Sequence, residues 1–134
     1  MPSEPRWLDP ADVIEINRIA VEQSCEPFCL LSENLLLSGL HRAQHYFNYL
    51  GEDDTLYLAI LVMQGIATNH PFQQGNKRTA FLAGVTFLEL NGYILTISDT
   101  DSLALHIELL TERKITVQAF YDFIASHVAS HPGT

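Results

Sequence analysis

His70, Gly75, Asn76, Lys77 and Arg78 fall within one short stretch, His70-Pro71-Phe72-Gln73-Gln74-Gly75-Asn76-Lys77-Arg78. It combines a titratable base, a glycine, an asparagine amide and two fixed cations. Mostly apolar, helix-forming segments flank it on both sides. A buried helical hairpin does not need so polar a loop to fold. These residue types suit phosphate chemistry with a general base at hand. Gly75 lets backbone approach a phosphate closely, or take a positive φ, without a Cβ clash. A helix starting at Asn76 aims unpaired N–H groups and the positive end of its dipole at residues 70 to 75, which favours anions. Asn76 can add an amide donor. Lys77 and Arg78 add charge, and an arginine can grip two phosphate oxygens at once. An imidazole titrates near neutral pH, so His70 can take a proton from a hydroxyl nucleophile. Phe72 reads as the anchor that holds the loop on the core.

Taken singly, each residue has a plainer reading. His-Pro at a helix end is a turn, and Gly-Asn is a cap. Lys-Arg is a solvated face, although at a helix start it opposes the dipole. It is the combination at fixed spacing that structure alone does not call for.

The elements that must position this loop are helices. Asp9-Pro10 predicts an N-cap and N1 proline, opening a helix to about Ser24. Val13, Ile16, Ile19 and Ala20 are expected on its inner face. Residues 25 to 31, with Pro27, connect to a second helix over about 33 to 50, capped by Ser32. That helix carries Leu36, Leu37, Leu40, Phe47 and Leu50. Gly51-Glu52-Asp53-Asp54 is a turn whose acids suit the start of the next helix. The third helix, about 55 to 69, is apolar nearly all round and belongs at the centre of the fold. The fourth runs from about Asn76 to Leu90 and closes at Asn91-Gly92. Tyr93 to Ile97 reads as short and extended. Asp99 or Thr100 caps a helix to about Thr111. Thr116 caps a last one, about 117 to 129, with Val117, Phe120, Phe123, Ile124 and Val128 inward. The tail from His131 to Thr134 is expected to fray. The prediction is an all-α fold: a compact bundle of about six helices, with the loop joining two central ones.

The 134 residues are expected to form a single domain, 1–134, with its core over about 7–128. That length buries roughly two-thirds of the unfolded surface. Seven basic against sixteen acidic residues give a formal charge of −9. A field of that sign disfavours direct nucleic-acid binding but leaves a nucleotide possible at a local cationic cluster. No run approaches the roughly 20 apolar residues of a membrane span. Met1 to Arg6 holds no signal-peptide core. The expected location is therefore cytoplasmic. Cys25 and Cys29 lack the further ligands a zinc site needs and read as reduced, partly buried structural thiols. His41 and His45 stand i, i+4 but without a third ligand. His106, His127 and His131 do not cluster.

The order His-Pro-Phe-x-x-Gly-Asn-Lys-Arg resembles the motif of the Fic/Doc family. Thr79-Ala80, Phe87-Leu88, Asn91-Gly92-Tyr93, the small size and the Leu31–Leu50 segment are similar to its death-on-curing (Doc) branch. The resemblance spans about residues 7–128. It implies an all-α bundle with the motif between two central helices. It implies that His70 is the base that deprotonates a Ser, Thr or Tyr hydroxyl of a target protein. It places Gly75, Asn76 and the loop amides in an anion hole, with Arg78 on nucleotide phosphate. Lys77 stands where AMP-transferring relatives commonly have glycine and Doc proteins have lysine. The implied activity is that of a toxin of a toxin–antitoxin pair. It would transfer a phosphoryl group from ATP to a protein hydroxyl, with elongation factor Tu as the implied target. The alternative on the same machinery is AMP transfer.

Two departures qualify the resemblance. The family normally has Asp or Glu at the Gln74 position, where the carboxylate helps hold Mg²⁺. A neutral amide is a weaker ligand for that ion, so reduced Mg²⁺ affinity is expected. A catalytically weakened Fic-fold protein that acts by binding is thus the reading from another class. Many relatives also carry an inhibitory Ser/Thr-x-x-x-Glu-Gly/Asn segment. No glutamate here sits in that pattern. Restraint in trans, by a small antitoxin, is expected instead.

Overall fold

A computed structural model describes residues 4–130. Six α-helices build it: α1 Pro10–Gln23, α2 Glu33–Leu50, α3 Thr55–Asn69, α4 Asn76–Leu90, α5 Thr100–Thr111 and α6 Val117–Ile124. Two short strands, β1 Tyr93–Leu95 and β2 Val128–Ser130, pair antiparallel with Leu95 opposite Val128. The expected tail at residues 131–134 lies outside the described residues.

The helix starts follow from local chemistry. Asp9 caps α1 in a reciprocal box with Asp12, and Pro10 occupies the first turn. Ser32, Asp54, Asp99 and Thr116 each accept a backbone N–H at the start of α2, α3, α5 and α6. At the other end of α2, Gly51 adopts φ 71°, the left-handed cap.

α3 forms the centre because its apolar residues point in every direction. Residues 58–67 are all buried, from Leu58 to Ala67. It packs most extensively on α2 and α4. The α2–α3 crossing is close because glycines meet there: a Cβ at Gly39 would sit 2.9 Å from the Gly65 carbonyl. Each fully buried Leu, Ile or Phe stabilises the fold by about 1.5–3 kcal/mol. Trp7 stacks on Phe87 at 5.6 Å, and the Asn91 side chain bonds both backbone groups of Arg6. The segment before α1 is thereby pinned to the end of α4.

Three expectations need correction. The last helix does not reach residue 129. It stops at Ile124, passes through a 3₁₀ turn at Ala125–His127, and gives way to β2. Residues 128–130 satisfy their backbone by pairing with β1, a partner far away in sequence. Ile19 is not inward but 46% exposed, while Asn17 and Val21 are fully buried. The buried stripe of α1 includes a polar residue, so an apolar pattern misplaced it. Cys25 is an exposed thiol rather than a partly buried one; it takes φ 58° just beyond α1.

Candidate active site

The loop is built from both of its ends. α3 stops at His70, which takes the left-handed conformation at φ 49°, ψ 55°. Pro71 follows and has no N–H with which to continue the helix. An L-residue in that region costs about 1–2 kcal/mol, although histidine tolerates it better than most. The turn leaves the imidazole exposed at the mouth of the loop.

Residues 71 to 73 are then tied to the connection between α1 and α2. The Pro71 carbonyl accepts from Leu31 N at 2.8 Å and Ser32 N at 3.2 Å. Phe72 bridges Leu30 in strand-like fashion, and Gln73 N donates to the Cys29 carbonyl at 2.9 Å. The Phe72 ring is 1% exposed and faces Phe28.

Asn76 closes the loop on itself. Its Oδ1 accepts from Phe72 N at 3.0 Å, and its Nδ2 donates to Phe72 O at 2.8 Å. The carboxamide expected to reach a ligand is occupied with backbone, because those two groups have no other partner in the turn. What α4 offers an anion is its backbone. Gly75 is the N-cap at φ 76° and supplies no side-chain cap. The first-turn N–H groups therefore have no partner within the helix or from a capping side chain.

Asn17 lies behind this turn, fully buried on α1. Its Nδ2 donates to Gln74 O at 2.8 Å and to Thr79 Oγ1 at 3.0 Å. Its Oδ1 has no partner. Gly75 is needed here on two counts: its positive φ, and Val21 Cγ1 standing 3.1 Å from where a Cβ would be.

Both cations of the loop are paired with acids. Arg78 reaches back to the end of α1, donating to Ala20 O, to Ser24 Oγ at 2.8 Å and to Glu26 Oε1 at 2.6 Å. The Ser24 hydroxyl also donates to Glu26 Oε1, at 2.6 Å. These bonds, Ser24 first and Arg78 second, hold the Glu26 carboxyl below the usual carboxylate range. Lys77 Nζ meets Glu108 Oε2 of α5 at 2.6 Å.

Two cavities share these cations. A polar cleft of about 270 Å³ is lined by His70, Gly75, Asn76, Lys77 and Arg78. A second cavity, about 410 Å³, lies between α4 and α5 and is walled mainly by Phe81, Leu82, Ala104 and Ile107. Lys77 and Arg78 line it too, with Glu108.

The donor set does not fit a protein-held Mg²⁺. Gln74 is half-buried and neutral, and the polar cleft contains no carboxylate. Among the described residues no three His, Cys, Asp or Glu side chains gather to hold a metal. His41 and His45 are exposed on α2, where His45 lies against Tyr49. His106 is stacked flat on Phe123 at 3.6 Å.

Sequence reasoning missed Asn17, Ser24, Glu26 and Glu108. Only Asn17 left a trace, as a polar residue interrupting the apolar stripe of α1. The other three reach the loop through folding and have no local pattern.

An all-α bundle that presents a histidine and an uncapped, cation-flanked helix start between its two central helices defines a narrow class of protein. The Fic/DOC family model matches residues 7–88, which is most of the chain, and the protein belongs to that family. No curated protein matches it. No helix among the described residues is long and apolar enough to cross a membrane.

Proposed function

We propose that the protein transfers the γ-phosphoryl group of ATP to a hydroxyl of another protein. One observation carries the reading: Lys77 and Arg78 line both a polar cleft that holds His70 and an apolar cavity between α4 and α5. A nucleotide has the matching composition, a flat apolar base joined to a polyanionic tail. The base fits between Phe81, Leu82 and Ile107. The tail then lies along the start of α4, where backbone N–H groups and two cations converge.

In the transfer, the acceptor oxygen bonds to the γ-phosphorus and the bond to the bridging oxygen breaks, releasing ADP. The hydroxyl proton passes to His70. Lys77, Arg78 and the α4 N–H groups balance the phosphoryl charge, and positioning supplies the rest. These roles fall to the chain's own groups, because the residues lining the cleft do not fit a metal. Glu26 and Glu108 must yield their partners to the phosphates. Both pairs are solvent-exposed, so little net stability is lost in the exchange.

Lys77 in place of glycine favours phosphoryl over AMP transfer. Gln74 favours the second reading, a weakened enzyme that acts by binding. The proposed acceptor is elongation factor Tu, and the proposed restraint is a small antitoxin acting in trans. Incubation with a cell lysate and either α- or γ-labelled ATP tests the proposal. Protein labelling from the γ-label alone supports phosphoryl transfer. Labelling from the α-label replaces it with AMP transfer. No labelling from either, with His70 intact, overturns the transferase reading in favour of binding.

A further inference from the structure

Asn17 is the one buried polar side chain of α1, and it is held at a cost. Its Oδ1 is fully enclosed without a partner, and an orphaned buried acceptor costs about 1–3 kcal/mol. A residue that only filled volume would be better replaced by leucine. What it does provide is a donor. Its Nδ2 holds the Gln74 carbonyl at 2.8 Å, drawing that oxygen toward α1. The carbonyl must meet a donor, so the orientation of the amide is not free.

The consequence lies on the other side of the same peptide. A trans peptide is planar, and its C=O and N–H point in opposite directions. With the Gln74 oxygen turned toward Asn17, the Gly75 N–H turns away from α1. Gly75 lines the polar cleft with His70, Lys77 and Arg78, and Asn17 does not. Val21, one turn further along α1, has its Cγ1 3.1 Å from where a Cβ on Gly75 would lie, so the turn accepts no larger residue there without the valine shifting.

We infer that Asn17 is a positioning residue that aims the Gly75 N–H into the anion hole. It does so from behind the loop, without touching substrate. This rests on the transferase reading for its catalytic meaning, but the orientation itself does not.

The test compares Asn17→Leu with Tyr121→Phe, which removes a hydrogen bond at the opposite end of α3. Melting curves first establish how far each variant is destabilised. Transfer is then measured for each at the same interval below its own melting temperature. Loss of one preorganised anion-hole donor lowers kcat by about 100-fold, so Asn17→Leu should lose about that much with KM for ATP changed less than about three-fold. Tyr121→Phe should keep its kcat. Equal losses in the two variants would show that Asn17 acts only on stability, and would overturn the inference. A second arm needs no activity: the Gly75 amide resonance is followed while pyrophosphate is added. It should move in the wild type, and at least about ten-fold more pyrophosphate should be needed in Asn17→Leu. If the wild type transfers nothing but its Gly75 amide still responds in this Asn17-dependent way, the transferase reading fails and the inference stands. If the Gly75 amide is indifferent to pyrophosphate in the wild type, the inference fails.

Discussion

Arg78 and Glu26 join the start of α4 to the residues just beyond α1, with Nη2 2.6 Å from Oε1. The arginine best placed for a phosphate thus already has an anionic partner within the same chain. Ser24 strengthens the arrangement by bonding both groups. In the proposed function the pair competes with nucleotide for Arg78, although the chain lacks the inhibitory sequence pattern of many relatives.

Glu26→Gln is therefore predicted to raise affinity for ATP by about two- to five-fold, the scale of one exposed charge pair. Calorimetric titration of ATP measures it, and unchanged affinity would remove the competitor role. The pH dependence has a definite sign. Glu26 is held below the usual carboxylate range. Its contribution is fully present above the ordinary carboxylate pKa and is lost as pH falls through the lower folded-state value. Between about pH 6 and 8 the pair stays ionised, so the gain in the variant should be constant across that window.

His70→Gly should separate stability from activity. Glycine relieves a left-handed cost of about 1–2 kcal/mol and forfeits about 0.5–1 kcal/mol of backbone entropy. The expected net gain is about 0.5–1 kcal/mol in denaturant unfolding, together with loss of transfer. A destabilised variant would mean that the imidazole makes compensating contacts in the fold.

Gln74→Glu restores a carboxylate beside the anion site. Transfer should rise by about ten-fold and become steeply dependent on Mg²⁺, since that ion prefers carboxylate and phosphate oxygens. Equal rates and equal Mg²⁺ dependence in the two proteins would show that the amide does not limit the reaction.

Tyr121 donates to Asp54 Oδ2 at 2.5 Å, fastening α6 to the cap of α3. Tyr121→Phe is expected to destabilise by about 1–2 kcal/mol. The hydrogen bond to Asp54, then burial, pushes the phenol up to about 12. This stabilisation is complete below the ordinary phenol value, near 10, and is lost as pH rises toward about 12. Unfolding measured across that range should show the loss in the wild type and a flatter profile in the variant.

Much of the frame was readable along the chain. Asp9-Pro10, Ser32, Asp54 and Thr116 announce helix starts through bonds to residues two or three positions on. The apolar run of α3 announces the centre of the bundle, because no face of it can be left in water. The motif from His70 to Arg78 and its place between two helices are equally local. These features share a cause: the interactions that specify them span a few residues, and a short stretch of sequence contains both partners.

The partnerships that shape the site do not have that property. Asn17 meets Gln74 across 57 positions, Arg78 meets Glu26 across 52, and Lys77 meets Glu108 across 31. β2 likewise exists only because β1 lies beside it. No spacing rule links such residues, since packing of α1 and α5 on α4 brings them together. The sequence alone therefore specified the histidine, the glycine and the cations of the loop. Folding specified which acids those cations face, what holds the Gly75 turn, and that the Asn76 amide is spent on Phe72, because each of these is a contact between surfaces rather than a property of a segment.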